Sequence, residues 1–237
     1  MTPRTSAQGR STASAAATTS VEDYAKTIYG LSEWEDLDVT ASALAKALEV
    51  SNPSVTLMIR KMAGLGLVDH RPYAPIKLTV QGRRLALSMV RRHRLIETWL
   101  VNELGYDWDE VHDEAERLEH AVSDTFVDRL DARLGKPSAD PHGDPIPSPD
   151  LQAAYPQTQL LCRVPQKSRV RLEQVDDGVP GALRRLAESN VEIGAELSVG
   201  SGERDSVTIT PEQLADPLVL THEEAHAMRV SLLGESA

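Results

Sequence analysis

The sequence predicts a mainly α-helical chain with a small β part: an N-terminal winged helix-turn-helix, a helical middle domain and a C-terminal β-barrel of the small SH3-like kind. Three observations predict it. Apolar residues recur at helical spacing from Tyr24 to Leu134. Seven prolines then crowd into residues 136–166. After them the apolar period falls to two, the mark of strands that bury one face.

Each element has its own signal. Residues 1–18 are rich in Ser, Thr and Ala without period and read as a disordered arm. A helix follows Ser20, with Tyr24, Ile28 and Leu31 on one side and Glu22 and Asp23 in its first turn, where carboxylates oppose the helix dipole. Thr40 is placed to cap ASALAKALEV. Ser51 is placed to cap the next helix, with Pro53 in its first turn, an apolar stripe of Val55, Met58, Ile59 and Met62, and Gly64 and Gly66 at its end. LVDHRPYAPIKLT reads as a two-stranded hairpin, so residues 19–82 form the winged helix-turn-helix.

Residues 83–150 form the helical domain. A long helix runs from about Thr79 to Asn102, a second from Asp107–Asp109 to about Val122, and a third from the cap Ser123 to Gly135. The proline-rich stretch reads as extended, with residues 151–166 as the linker proper. Within 167–237, SRVRLEQV, AELSVG, SVTIT, PLVLT and RVSLL alternate as strands, with a one-turn helix around Glu223–Met228.

Composition excludes several classes. No apolar run approaches the ~20 residues that span a bilayer, and the first residues lack the apolar segment of a secretory signal. One cysteine, Cys162, rules out an internal disulfide framework and a CxxC metal knuckle. These features predict a cytoplasmic protein. The formal charge of −11 is unevenly spread. Residues 51–94 hold nine basic residues and one acid, a net of +8, and residues 95–150 hold fifteen acids and four bases, a net of −11. The basic block is suited to phosphates and the acidic block to cations.

The acidic block carries a ligand-like pattern. In VHDEAERLEH, residues His112, Glu116, Glu119 and His120 share one helical face. The preceding helix has His93 and Glu97 at i and i+4, and antiparallel packing brings these two toward His112. Carboxylates with imidazole form an oxygen-rich set that suits Mn(II) better than softer metals. His222 and His226 have the same spacing but no dense acidic neighbourhood, so they read as helix surface, and Cys162 reads as a small core residue.

These residues resemble the diphtheria-toxin-repressor/manganese-regulator family of metal-activated transcriptional repressors. The resemblance covers about residues 19–235 and is carried by VEDYAKTIYGL, SNPSVTLMIRKM, RRHRLIE, VHDEAERLEH, GDPIPSPD and the tail EEAHAMRVSLL. It implies a primary metal site of Asp23, Glu116, Glu119 and His120 and an ancillary site of His93, Glu97 and His112. Iron-type members have Met and Cys where this chain has Asp23 and Glu116, and manganese-type members have carboxylates there. Small manganese-type members have a bridging Glu where this chain has Lys26. The third-domain ligands of iron-type members fall, without a gap, on Val179 and Ala182, which cannot coordinate; a small gap offers Asp176 or Asp177 instead.

The implied protein is a homodimeric, Mn(II)-activated repressor of manganese-homeostasis genes, with Fe(II) or Co(II) as substitute ions. It binds a pseudo-palindromic double-stranded DNA operator, with neither a membrane nor a small organic substrate as partner. Ser51, Pro53, Ser54, Thr56, Leu57, Arg60 and Lys61 then face or flank the major groove, with Arg60 and Lys61 on phosphates. Leu57 stands where iron-type members place a base-contacting Gln. The competing readings are an Fe(II)-dependent repressor of the same fold, a winged-helix sensor of an organic ligand and a metal-dependent hydrolase. The hydrolase lacks an H-x-x-E-H pattern or a Ser/His/Asp set, so the chain is not expected to be an enzyme.

Overall fold

The computed structural model describes residues 12–35, 38–71, 74–202, 206–212 and 216–233. The chain divides into two compact units, Met1–Val90 and Arg91–Ala237.

The first unit holds α1 (Thr12–Glu35), α2 (Ala41–Ala47), α3 (Asn52–Gly64), β1 (Val68–Asp69), β2 (Lys77–Leu78) and the start of α4 (Val80–Leu104). The disordered arm expected over residues 1–18 needs correction. Helix α1 already begins at Thr12, because the alanines of TASAAA are the best helix formers and extend a helix anchored further along. Residues 1–11 lie outside the described residues.

That anchor is apolar: Val21, Tyr24, Ala25, Ile28 and Tyr29 of α1 are buried, as are Leu44 of α2 and Val55, Ile59 and Met62 of α3. Both expected caps form. Thr40 Oγ1 accepts from the Ala43 N–H at 3.1 Å, and Ser51 Oγ accepts from the Ser54 N–H at 3.3 Å. Each such cap contributes about 1 kcal/mol. The wing pairs Val68 with Leu78 and Asp69 with Lys77, antiparallel. Gly82 lets the wing approach the first turn of α4, since a Cβ there would lie 1.9 Å from the Leu67 carbonyl oxygen.

The second unit begins with the rest of α4, followed by α5 (Val111–Glu119) and α6 (Asp124–Arg133). Leu95, Ile96, Leu100, Val111, Ala115, Val127, Leu130 and Ile146 make their core. Helix α5 is shorter than the spacing predicts at both ends. Residues 107–110 form a turn closed by Glu110 N–H to Asp107 C=O at 3.1 Å, and Trp108, partly buried, packs against the C-terminal core from this turn instead of from a helix face. Ser123 caps α6 by accepting from the Phe126 N–H at 3.2 Å.

The stretch from residue 136 to 150 is no extended linker. Arg91 Nη1 donates to the Pro147 carbonyl at 2.7 Å and Arg94 Nη1 to the Pro145 carbonyl at 2.8 Å, both buried. Arg91 also meets Asp131 at 3.0 Å, and Arg94 meets Asp140 at 3.6 Å and Asp144 at 3.5 Å. Asp140 Oδ1 accepts from the N–H groups of His142 and Asp144, each at 2.9 Å, in an Asx turn. Gly143 has φ +86°, and a Cβ there would stand 1.9 Å from the Glu173 carbonyl oxygen.

The remainder is β3 (Gln159–Leu160), a 3-10 turn (Leu161–Arg163), β4 (Arg169–Val175), α7 (Pro180–Glu188), β5 (Glu196–Ser201), β6 (Ser206–Pro211), β7 (Leu218–Thr221), α8 (His222–His226) and β8 (Met228–Leu232). The strands form one antiparallel sheet in the order β3-β8-β4-β5-β6-β7. Among the described residues the edge strands β3 and β7 do not pair, so the SH3-like barrel of the sequence reading is an open sheet. The 3-10 turn stops β3 after two residues, before that edge can extend. Helix α7, which the strand period did not predict, buries Ala182, Leu183 and Leu186. No helix among the described residues is long and apolar enough to cross a membrane.

Candidate metal centre

Six of the seven expected ligands lie in the second unit, and Asp23 lies half-buried on α1 of the first. The six do not form two separate pockets. His93 of α4 stands between two fully buried carboxylates: its Nδ1 is 2.6 Å from Glu119 Oε2 and its Nε2 is 3.0 Å from Glu97 Oε1. His112 of α5 brings Nδ1 to within 3.3 Å of His93 Nε2 and 3.6 Å of Glu97 Oε1. The side chains of His93, Glu97, His112 and Asp177 therefore offer ligand atoms all within 4.8 Å of one another.

Glu116 and Glu119 form a second group with His93, again within 4.8 Å. His120, at the C-cap of α5, has Nε2 3.4 Å from Glu119 Oε1. The single helical face read from the sequence thus holds, but its residues diverge. His112 turns its Nδ1 to Glu97 and Asp177 while its Nε2 lies 3.7 Å from Glu116 Oε1, Glu116 and Glu119 group with His93, and His93 belongs to both groups.

Between Asp176 and Asp177, the geometry selects Asp177. Its Oδ2 is 2.9 Å from His112 Nδ1, while Asp176 Oδ1 accepts from the Gly178 N–H at 2.9 Å. Val179 is the N-cap of α7 and Ala182 is buried in it. Burial alone would raise the Asp177 carboxyl, but the His112 imidazole outweighs it and holds it at about 2. Burial likewise disfavours charge on His112, yet Asp177 and Glu97 together push its pKa up to about 11.

Sequence reasoning missed His142. Its Nε2 lies 2.6 Å from the Trp108 carbonyl, its ring stacks on Trp108, and its Nδ1 faces Glu97 Oε2 at 3.8 Å. Burial opposes its charge, but Glu97 and the nearby aspartates push its pKa up to about 10. The available signal was its place in HGDP, a loop held by Asp140 and Gly143, as described above.

Glu97 tests the fit to a cation. Its side chain is fully buried, and neither carboxylate oxygen meets hydrogen-bond geometry although three imidazoles surround it. Burial would raise this carboxyl, and the imidazoles overcome that to hold it well below the usual range. A buried carboxylate is costly unless paired. Oxygen and imidazole donors from Glu97, Asp177, His93 and His112, with Glu116 and Glu119 beside them, suit a hard or borderline divalent ion.

In the first unit, Ser51, Pro53, Ser54, Thr56, Leu57, Arg60 and Lys61 of the α3 region are all exposed, and Val55, Ile59 and Met62 turn inward. The basic block divides by location. Arg60, Lys61, Arg71, Lys77, Arg83 and Arg84 are exposed. Arg91, Arg92 and Arg94 are instead engaged within the second unit, Arg92 donating to the Glu119 carbonyl at 3.1 Å and to Asp124 at 2.6 Å. These three do not belong to a DNA surface, a correction to the +8 reading.

A winged helix with an exposed recognition helix and a buried carboxylate–imidazole centre define a metal-responsive DNA-binding protein, and the comparisons agree. Residues 16–75 match the N-terminal DNA-binding domain of iron-dependent repressors and residues 79–148 match their metal-binding and dimerisation domain. The iron-dependent repressor IdeR of Mycobacterium leprae is 34% identical over 223 residues, 88% of this chain and 95% of that protein. The diphtheria toxin repressor of Corynebacterium diphtheriae is 32% identical over 222 residues, 90% and 96%.

A solved manganese-dependent transcriptional repressor in complex with manganese is 41% identical, with TM-score 0.85 over 90% of this chain and 100% of that one. The manganese regulator SloR is 35% identical, with TM-score 0.76 over 90% and 98%. The chain belongs to the iron-dependent repressor family that includes the diphtheria toxin repressor and the manganese regulators. It is a metal-dependent DNA-binding repressor and not an enzyme.

Proposed function

We propose that this repressor is activated by Mn(II), and that it acts in the cytoplasm as a homodimer on a pseudo-palindromic operator to control manganese-homeostasis genes. The observation that carries the reading is the donor set. Glu97, Glu116, Glu119 and Asp177 supply carboxylate oxygen and His93, His112 and His120 supply imidazole, with no sulfur among them. Mn(II) stands at the weak end of the affinity order, so a manganese sensor selects through hard oxygen donors and a coordination number above zinc's four. The likeness to manganese-dependent repressors supports this choice, while the likeness to iron-dependent IdeR favours the second reading, Fe(II), with Co(II) as a substitute ion.

The primary site in this proposal is Glu116, Glu119 and His120 with Asp23, which joins them on the family resemblance; the ancillary site is His93, Glu97 and His112, with Asp177. An ion bound at either site would supply the positive charge that offsets that site's carboxylates. With Asp23 of α1 among the ligands of an ion at the end of α5, binding would favour the DNA-competent arrangement and shift the population toward it. Ser51, Pro53, Ser54, Thr56 and Leu57 meet the groove, and Arg60 and Lys61 hold phosphates. The test is a gel shift on the DNA upstream of the gene with chelator, Mn(II), Fe(II), Co(II) and Zn(II) in turn. Tightest operator binding at the lowest free Mn(II) relative to Fe(II) supports the reading, and activation by Fe(II) alone replaces it with the second. Arg60→Ala should weaken all sequences alike and flatten the salt dependence by about 0.9 in log–log slope. An unchanged slope would remove Arg60 from the phosphate contacts.

A further inference from the structure

The C-terminal part of the second unit brings together three residues that the sequence alone assigned to core and surface. Cys162 sits on the 3-10 turn, half-buried, and its Sγ is 3.6 Å from Nδ1 of His226. His222 and His226 are the first and last residues of α8, with ring centroids 6.2 Å apart. The three ligand atoms lie within 4.8 Å of one another. We propose that Cys162, His222 and His226 form a third metal site, selective for a thiophilic, tetrahedral divalent ion such as Zn(II) or Co(II).

The spacing fits that chemistry. Bonds of about 2.3 Å to sulfur and 2.0–2.1 Å to nitrogen, at the tetrahedral angle, place the two donors about 3.6 Å apart. Both segments are held independently of any ion. Leu161, beside Cys162, is fully buried in the sheet core. Helix α8 starts with a reciprocal capping box between Thr221 and Glu224, and Glu224 also pairs with Arg185 of α7 at 3.1 Å. A thiolate with two imidazoles leaves a fourth position for water and is a softer set than the carboxylate-rich centre around Glu97. Hard Mn(II) is therefore expected at the Glu97 centre and a softer ion here. An ion on these donors ties the segment entering the sheet at β3 to the segment between β7 and β8.

Cys162 is the only cysteine of the chain, so a thiolate-to-metal signal reports this site alone. The full chain, preloaded with excess Mn(II), is titrated with Co(II) and followed by its near-ultraviolet thiolate-to-cobalt charge-transfer band. The band, which reports only Co(II) bound to Cys162 whatever ion fills the Glu97 centre, should saturate at a per-chain intensity independent of protein concentration and persist in His112→Ala. Cys162→Ser should abolish it. His222→Gln alters an exposed side chain, so folding is kept, and it should weaken Co(II) binding at least roughly tenfold, the lower end of what even outer-shell changes cost. Absence of the band in the unaltered chain, a band that grows with protein concentration, or a midpoint unmoved by His222→Gln would overturn the proposal and leave a thiol–imidazole hydrogen bond only.

Discussion

The two halves of the candidate metal centre are built differently. Around Glu97 the donors converge from α4, α5 and the segment after β4. His142 and the loop of residues 140–147 back them, and the carboxylate at their middle is fully buried. Around Glu116 and His120 the donors sit at the end of one helix, the Glu116 side chain is 38% exposed, and the fourth expected ligand belongs to the other compact unit. The difference separates two jobs. The deep half is assembled by folding of the second unit alone, so an ion held there would support structure. In the proposed mechanism the outer half takes Asp23 of the other unit as a ligand, and an ion held there would report on the arrangement of α1.

The largest effect should come from breaking the outer half. His120→Ala should abolish metal-dependent operator binding, at least a hundredfold in free Mn(II), with the melting temperature of the metal-free chain unchanged. His112→Ala should only reduce metal stoichiometry or sensitivity. Equal damage from the two, measured by operator binding against free Mn(II), would erase the ranking.

Removing the backing of the deep half should instead cost stability. Arg94 is buried against Asp140, Asp144 and the Pro145 carbonyl, so Arg94→Ala leaves buried charge unpaired and should cost about 3 kcal/mol in denaturant unfolding. Its salt dependence on DNA should stay that of the unaltered chain. A stable variant with a flattened salt slope would return Arg94 to the DNA surface.

The smallest effect sharpens the electrostatics of the deep half. In the metal-free chain the Asp177 carboxyl is held at about 2 and the His112 imidazole at about 11. The carboxylate is depressed, so its contribution to stability is present above its ordinary 3.8 and lost as pH falls through about 2. The imidazole is raised, so its contribution is full below its ordinary 6.5 and lost as pH rises through about 11. Asp177→Asn should bring the His112 titration, followed by NMR of the ring protons, well down toward 6.5. A titration left in place would show that Glu97 alone sets it.

Local signals carried most of the fold into the sequence. The caps Thr40, Ser51 and Ser123, the stripe Val55–Ile59–Met62 and the alternating strands act between near neighbours, and each formed as its residues require. The carboxylates and imidazoles of α4 and α5 were legible for the same reason. What stayed hidden depends on contacts between distant residues. Nothing in RRHR shows that Arg91 and Arg94 reach carbonyls 56 and 51 residues away. Likewise the spacing of Cys162 and His226, 64 residues apart, gives no hint that they meet. Helix α7 was hidden by its surroundings, a short amphipathic helix set between strands. The open edge of the sheet reflects how early the 3-10 turn ends β3, which alternation does not encode.

The central claim is that Asp23 and Glu116 supply oxygen to the outer half and thereby select Mn(II). The direct measurement is operator affinity against free Mn(II), Fe(II) and Co(II) for the unaltered chain, Asp23→Asn and the double variant Asp23→Met with Glu116→Cys. The account predicts a higher Mn(II) midpoint for Asp23→Asn. It predicts activation displaced toward Fe(II) and Co(II) for the double variant, with a weakened Mn(II) response. If Asp23 only opposes the dipole of α1, worth at most ~1 kcal/mol, its Asn variant responds as the unaltered chain does. An unshifted Mn(II) midpoint in all three proteins would contradict the account and remove Asp23 from the metal site.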